Sequence, residues 1–226
     1  MTMEFYAASD RSLLVVFGRE ITLANNRSVV GLLRLVQREP IAGVTNLHPA
    51  YASLLFVFDP LRLSHRELEA TLRGYLKRVG DLDEPRPSLI EIPVCYDLEF
   101  GLDLLETSQA CTLSPQRVIA AHCSVSYLVY FLGFVPGFAY LGDLPEALEL
   151  PRLPVPRTKV PCGSVAIAGR QTGVYPMATP GGWRILGRTP LQLFDPRREP
   201  ASVLNTGDRV RFIPISRAQF DAMERT

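Results

Sequence analysis

Three observations predict an α+β protein of two domains. Over residues 1–87, segments of helical period alternate with short apolar strand runs. From Tyr127 onward, short strands are separated by Gly/Pro turns, the pattern of a barrel or sandwich. Between these regions lies a polar, proline-rich stretch, Asp81–Ser88 (DLDEPRPS), of linker composition. The domains are therefore drawn at 1–87 and 88–226.

In the first domain, Ser12 to Gly18 (SLLVVFG) is an apolar strand. Val29, Leu32, Leu33 and Val36 follow the i, i+3, i+4, i+7 spacing of a helix with one buried face. Strands follow at Gly43–Pro49 and Ala52–Phe58, the second stopped by Asp59-Pro60. Ser64 caps a second helix, and Glu67 three residues on completes a capping box. Leu68, Leu72, Tyr75, Leu76 and Val79 form its apolar face. Strand, helix, strand, strand, helix, strand is the ferredoxin-like order. In the second domain Leu89–Val94 is a strand and Asp103–Ala110 a short helix. Ser114-Pro115 opens another helix, with serine at N-cap and proline at N1, ending near His122. Arg209–Pro214 is the closing strand, after a Thr206-Gly207-Asp208 turn.

The 226 residues are 47% hydrophobic and 21% charged, the composition of a soluble globular chain. A net charge of +1 leaves no basic surplus to neutralise phosphates, which argues against a nucleic-acid partner. No apolar run approaches the ~18 residues of a membrane span. The start, MTMEFYAASDR, lacks a basic residue run followed by an apolar core, so a cytoplasmic location is expected. Four isolated cysteines, Cys95, Cys111, Cys123 and Cys162, form no C-x-x-C pair and are expected to be inert, mostly buried thiols, with Cys162 the exception to watch. Three histidines build no H-x-x-x-H pair, so no metal is expected. Walker, dinucleotide and nucleophile-elbow motifs are missing.

The segment from Gly133 to Arg188 stands out, because glycine and proline recur among aromatics too often for a helix and too regularly for a disordered linker. Glycine admits close approach and proline stiffens the intervening loops, so this segment is the candidate site. One of the two lysines of the chain, Lys159, falls inside it.

YLVYFLGFVPGFAYLGDL, P-R-x-x-V-P-C-G-S-V, A-G-R-Q-T-G-V-Y-P and T-P-G-G-W-R-I-L-G-R-T-P-x-x-L-F-D-P, with HPAYASLLFVFDP and IPVCYDLEFGLDL upstream, together resemble one family. It is the family of the 5-oxoprolinase B subunit, also called allophanate hydrolase subunit 1 or the kinase A inhibitor of sporulation. The resemblance covers nearly the whole chain. It implies a ferredoxin-like N-terminal domain and a cyclophilin-like C-terminal barrel. It also implies work with subunits C and A in the ATP-dependent opening of 5-oxoproline to glutamate, the ATP belonging to the complex. An alternative is a module that inhibits a sensor histidine kinase. A stand-alone amidohydrolase or isomerase is disfavoured, since no catalytic dyad or metal set is visible. The chain departs from the pattern at Asp97-Leu98, where two glycines are common, and at Cys162, where alanine is common; Glu99, Gly101 and Asp103 match.

Opening an unstrained lactam through phosphorylation needs cations, a proton-transfer group and N–H donors. Arg157 and Lys159 are the candidate cations, with solvated loop charges as the alternative. Glu99 and His122 are the proton-transfer candidates, although His122 reads first as a satisfied histidine at a helix end. Gln171-Thr172-Gly173 and Gly181-Gly182-Trp183 suit close backbone approach to substrate or partner, or barrel turns. Trp183 is a core anchor or an interface hot spot, and Phe134, Phe138 and Tyr140 form an apolar wall at an interface or in the core.

Overall fold

A computed structural model describes residues 3–79 and 88–224. The chain divides into two compact units, Met1–Arg86 and Pro87–Thr226. Of the expected linker Asp81–Ser88, all but Ser88 lies outside the described residues.

The first unit runs β1 (Glu4–Ser9), β2 (Ser12–Val16), α1 (Leu23–Arg38), β3 (Val44–Pro49), β4 (Ser53–Phe58) and α2 (His65–Leu76). Its antiparallel sheet has the order β1-β2-β4-β3. Alternation puts Leu13, Val15, Leu54, Phe56 and Phe58 on one face, where they form a core with Val29, Leu32, Leu33 and Val36 of α1 and Leu68 and Leu72 of α2. Thr22 caps α1, and α2 carries the complete Ser64–Glu67 capping box, whose hydrogen bonds hold the Glu67 carboxyl below its ordinary range. Two features differ from the expected order. β1 was not anticipated, because nearly all its residues are exposed and leave no buried alternation in the sequence; among the described residues of this unit no strand follows α2.

In the second unit seven strands close a barrel: β5 (Leu89–Cys95), β6 (Tyr127–Leu132), β7 (Ala139–Gly142), β9 (Ser164–Ala168), β10 (Gln171–Val174), β12 (Arg184–Arg188) and β13 (Arg209–Ile215). Their order around it is β10-β7-β6-β13-β5-β12-β9. β5 and β13 pair in parallel, and the other barrel pairs are antiparallel. A separate ribbon joins β8 (Arg157–Val160) to β11 (Thr179–Gly181). Helices α3 (Leu104–Ala110) and α4 (Pro115–Cys123) follow β5, and α5 (Arg217–Glu224) follows β13. α5 was not expected, since Phe220 is its one buried residue.

β9 is buried along its whole length for a simple reason. Val165 and Ile167 face the barrel core, while Ala166 and Ala168 face a second apolar cluster with Phe138, Val160, Tyr175, Trp183 and Ile185. A strand covered on both sides reads as a continuous apolar run.

Candidate functional site

The outer face of β9, β10 and β12 carries the aromatic residues singled out from the sequence. Phe138 is their hub: its ring meets Phe134, Tyr140, Tyr175 and Trp183 edge to face, at 5.6, 4.9, 5.3 and 5.5 Å. Tyr140 also meets Trp183 at 5.9 Å and stacks on Phe131 at 4.5 Å. Trp183 and Phe138 are buried, Tyr140 is half-buried, and Phe134 is 59% exposed with φ 68°, a left-handed conformation unusual for a bulky residue. Gly173 and Gly181 are required here by proximity. A Cβ on Gly173 would sit 3.0 Å from the Ala139 carbonyl and from Phe138, and one on Gly181 would collide with the Tyr175 hydroxyl. Gly182 lies under Pro156 and accepts a hydrogen bond from Leu153 N–H at 2.8 Å, fastening the proline-rich arch 151–157 above the cluster. Gln171 is half-buried on β10. Burial raises the Tyr140 and Tyr175 phenols above their ordinary range.

A polar seam borders this cluster. The β5–α3 loop turns through Phe100 and Gly101 N–H groups donating to the Asp97 carbonyl at 2.8 and 2.7 Å. It then docks on β12, with Asp103 N–H donating to Ile185 O at 2.9 Å and Asp103 Oδ2 accepting from Ile185 N–H at 2.7 Å. Asp103 Oδ1 accepts from Arg157 Nη2 at 2.6 Å. The carboxylate is 4% exposed and the guanidinium 28%, so the pair is partly desolvated and directional. Arg157 Nη1 is enclosed and, among the described residues, has no hydrogen-bond acceptor. Arg184, nearly buried, holds the start of the arch, its Nε donating to Pro151 O at 3.2 Å and Nη1 to Glu106 at 2.8 Å. Lys159 is exposed, two residues along β8 from Arg157.

His122 occupies a different place, inside the barrel and fully buried. Its ring stacks on Phe212 at 4.5 Å. Thr172 donates its hydroxyl proton to Ala166 O at 3.0 Å, so its oxygen accepts from His122 Nε2 at 2.8 Å. Nδ1 is then the acceptor for Tyr96 O–H, also at 2.8 Å. Both nitrogens are used by a neutral imidazole, and burial pushes its pKa down to about 3. Thr172, on the inward face of β10, thus serves His122 and not the outer cluster. Glu99 lies at the surface in an ion pair with Arg217 of α5, which also binds Asp221 at 2.7 Å and lies over Phe100 at 4.6 Å.

The structure therefore gathers Phe134, Phe138, Tyr140, Gly173, Gly181, Gly182 and Trp183 with Arg157, while His122 and Glu99 have separate partners. Among the described residues no hydrogen bond joins either of them to Arg157. Sequence reasoning did not single out Asp103, Tyr175 or Arg184 as site residues. Each lies in a quoted motif, but its partner is distant in sequence: Asp103 meets Arg157 at a separation of 54 residues, and Arg184 meets Glu106 at 78. Of the cysteines, Cys95 is buried, Cys111 and Cys123 are half-buried, and Cys162 is exposed with its thiol on Pro176 O at 3.1 Å. No group of three or more potential ligands is arranged for a metal among the described residues, and no helix there is long and apolar enough to cross a membrane.

A barrel unit with this polar seam defines a class of protein that the comparisons specify. Residues 3–204 match the carboxyltransferase domain, subdomain C and D, and the chain belongs to that family. Three of its relatives carry the name to which the sequence motifs point, and two others are urea amidolyases. The chain is 39% identical over 224 residues to the 5-oxoprolinase B subunit of Bacillus subtilis (strain 168), covering 94% of this chain and 93% of the relative. It is 41% identical over 217 residues to the 5-oxoprolinase B subunit of Escherichia coli O157:H7, covering 92% and 94%. The crystal structure of TTHA0988 is similar at TM-score 0.82 and 41% identity over 91% of this chain, which spans 40% of that chain's length. The Kluyveromyces lactis urea carboxylase shares the fold, at TM-score 0.77 and 19% identity over 97% of this chain and 22% of its own.

Proposed function

We propose that this chain is one component of an ATP-dependent 5-oxoprolinase, opening 5-oxo-L-proline to L-glutamate together with subunits C and A. The observation that carries the reading is the 39–41% identity, over more than nine-tenths of both chains, to two proteins named as the B subunit of 5-oxoprolinase. The dispersal of the candidate groups supports a composite site. Glu99 and Lys159 are exposed and Arg157 partly so, while His122 acts from inside the barrel by fixing Tyr96 and Thr172. In this reading ATP is held by the complex, the barrel is cyclophilin-like, and the first unit is a ferredoxin-like variant whose edge strand β1 comes from the N-terminus. The sheet order β1-β2-β4-β3 supports that last point.

The test is ATP-dependent glutamate formation from 5-oxo-L-proline by the chain mixed with subunits C and A, against the same mixture without it. Activity that requires this chain is expected. Activity indifferent to it would overturn the reading and move the histidine-kinase inhibitor to the front.

A further inference from the structure

The arch 151–157 presents cations above an aromatic floor. Pro151, Pro154 and Pro156 restrict its backbone, Arg184 ties its start through Pro151 O, and Leu153 is tied to Gly182. Its terminal residue, Arg157, is oriented by Asp103, whose second oxygen is fixed on Ile185 N–H. The Arg157 side chain is partly exposed, and among the described residues its enclosed Nη1 has no acceptor, so its exposed edge is what remains open to a ligand. Arg152 is exposed, and among the described residues no carboxylate pairs with it. Its positive charge acts on both the Tyr140 and the Tyr175 phenols, and that of Arg157 acts on Tyr175 as well. The two arginines therefore bear on one aromatic surface from a stiff support.

We propose that the arch and the aromatic floor beneath it bind the carboxylate of a small cyclic acid, with Arg152 and Arg157 as the cations and Asp103 as the residue that positions Arg157. A planar guanidinium matches a carboxylate with two parallel hydrogen bonds. Asp103 already offsets one of the two positive charges, so the balance suits a monoanion better than a polyphosphate. The half-buried Tyr140 and the exposed Phe134 offer apolar surface to a ring. The choice of a lactam acid rests on the 5-oxoprolinase reading; the site itself rests on the geometry of the arch.

The experiment is calorimetric titration of the full chain with 5-oxo-L-proline, with its carboxamide, which lacks the negative charge, and with inorganic phosphate. The acid is expected to bind at least about tenfold tighter than the carboxamide, the factor lost with a charge-assisted hydrogen bond. Arg152→Gln, at an exposed position that the fold does not need, should abolish that preference. Arg157→Lys should weaken the acid, since an ammonium cannot form the fork. Asp103→Asn should weaken the acid about tenfold and leave the carboxamide unchanged, a selectivity that a general loss of structure would not produce. No measurable binding of the acid, equal binding of acid and carboxamide, an unaltered preference in Arg152→Gln, or tighter binding of phosphate would each overturn the proposal. Acid binding that persists while glutamate formation is indifferent to this chain would sink the 5-oxoprolinase reading and leave the carboxylate site standing.

Discussion

His122 makes a quantitative prediction about stability and pH. In an unfolded chain its imidazole takes a proton near the ordinary value of 6.5; in the barrel, burial alone pushes that value down to about 3. As pH falls, the unfolded state binds the proton first. The contribution of His122 is therefore fully present above pH 6.5 and is lost progressively between 6.5 and about 3. At about 1.4 kcal/mol per pH unit below the unfolded value, the loss from pH 7 to pH 5 is about 2 kcal/mol. Carboxylates add their own pH dependence, so the informative quantity is a difference from a variant that cannot titrate. His122→Gln retains an acceptor for Tyr96 and a donor for Thr172, at a general loss of about 1–2 kcal/mol from the missing stack on Phe212. Urea unfolding at both pH values, followed by fluorescence of Trp183, the single tryptophan, reports on the second unit alone. The wild type should lose about 2 kcal/mol more than the variant between pH 7 and 5. An equal loss in the two proteins would refute the buried neutral imidazole and return His122 to the list of titrating, solvent-linked groups.

Gly181→Ala forces a methyl group against the Tyr175 hydroxyl and should lower stability by about 1–3 kcal/mol in the same fluorescence assay; no change would mean that the β11–β12 turn yields freely. Asp103→Ala removes the acceptor of both Ile185 N–H and Arg157, with an expected loss of about 2–4 kcal/mol by urea unfolding. Glu99→Gln breaks an exposed ion pair with Arg217, so its effect on stability should stay under about 1 kcal/mol. Glutamate formation by the three-subunit mixture should nevertheless fall by about 100-fold if Glu99 transfers a proton, and unchanged turnover would remove it from the chemistry.

Periodic and capped elements are legible in this sequence because their causes are local. The apolar stripe of α1 and the Ser64–Glu67 box of α2 each arise within a few residues, and both are present in the structure. β1 is hidden for the opposite reason: an edge strand exposed on nearly every residue has no burial pattern to show. The aromatic and glycine motifs marked the outer cluster, since Gly173 and Gly181 are there for close approach to Phe138 and Tyr175. That His122 is a satisfied histidine was legible, but its partners were not. A histidine near the end of a helix becomes a sealed core residue only through Tyr96, 26 residues earlier, and Thr172, 50 residues later.

The same distance argument explains why the departure at Asp97-Leu98 leaves the seam intact. The turn there is made by the Asp97 carbonyl, which accepts from Phe100 and Gly101, so it uses backbone and is indifferent to the side chains at 97 and 98. Gly101 is the constrained position, because a Cβ would press on the Leu186 carbonyl, and it is retained. With Gly101 seated on β12, Asp103 falls in register with Ile185 and reaches Arg157 whatever occupies 97 and 98. The substitution acts outward instead. Leu98, 57% exposed beside Glu99, sets an apolar group on the surface next to a carboxylate proposed to work at a shared site. Its effect is therefore expected at that surface and not in the fold of this chain.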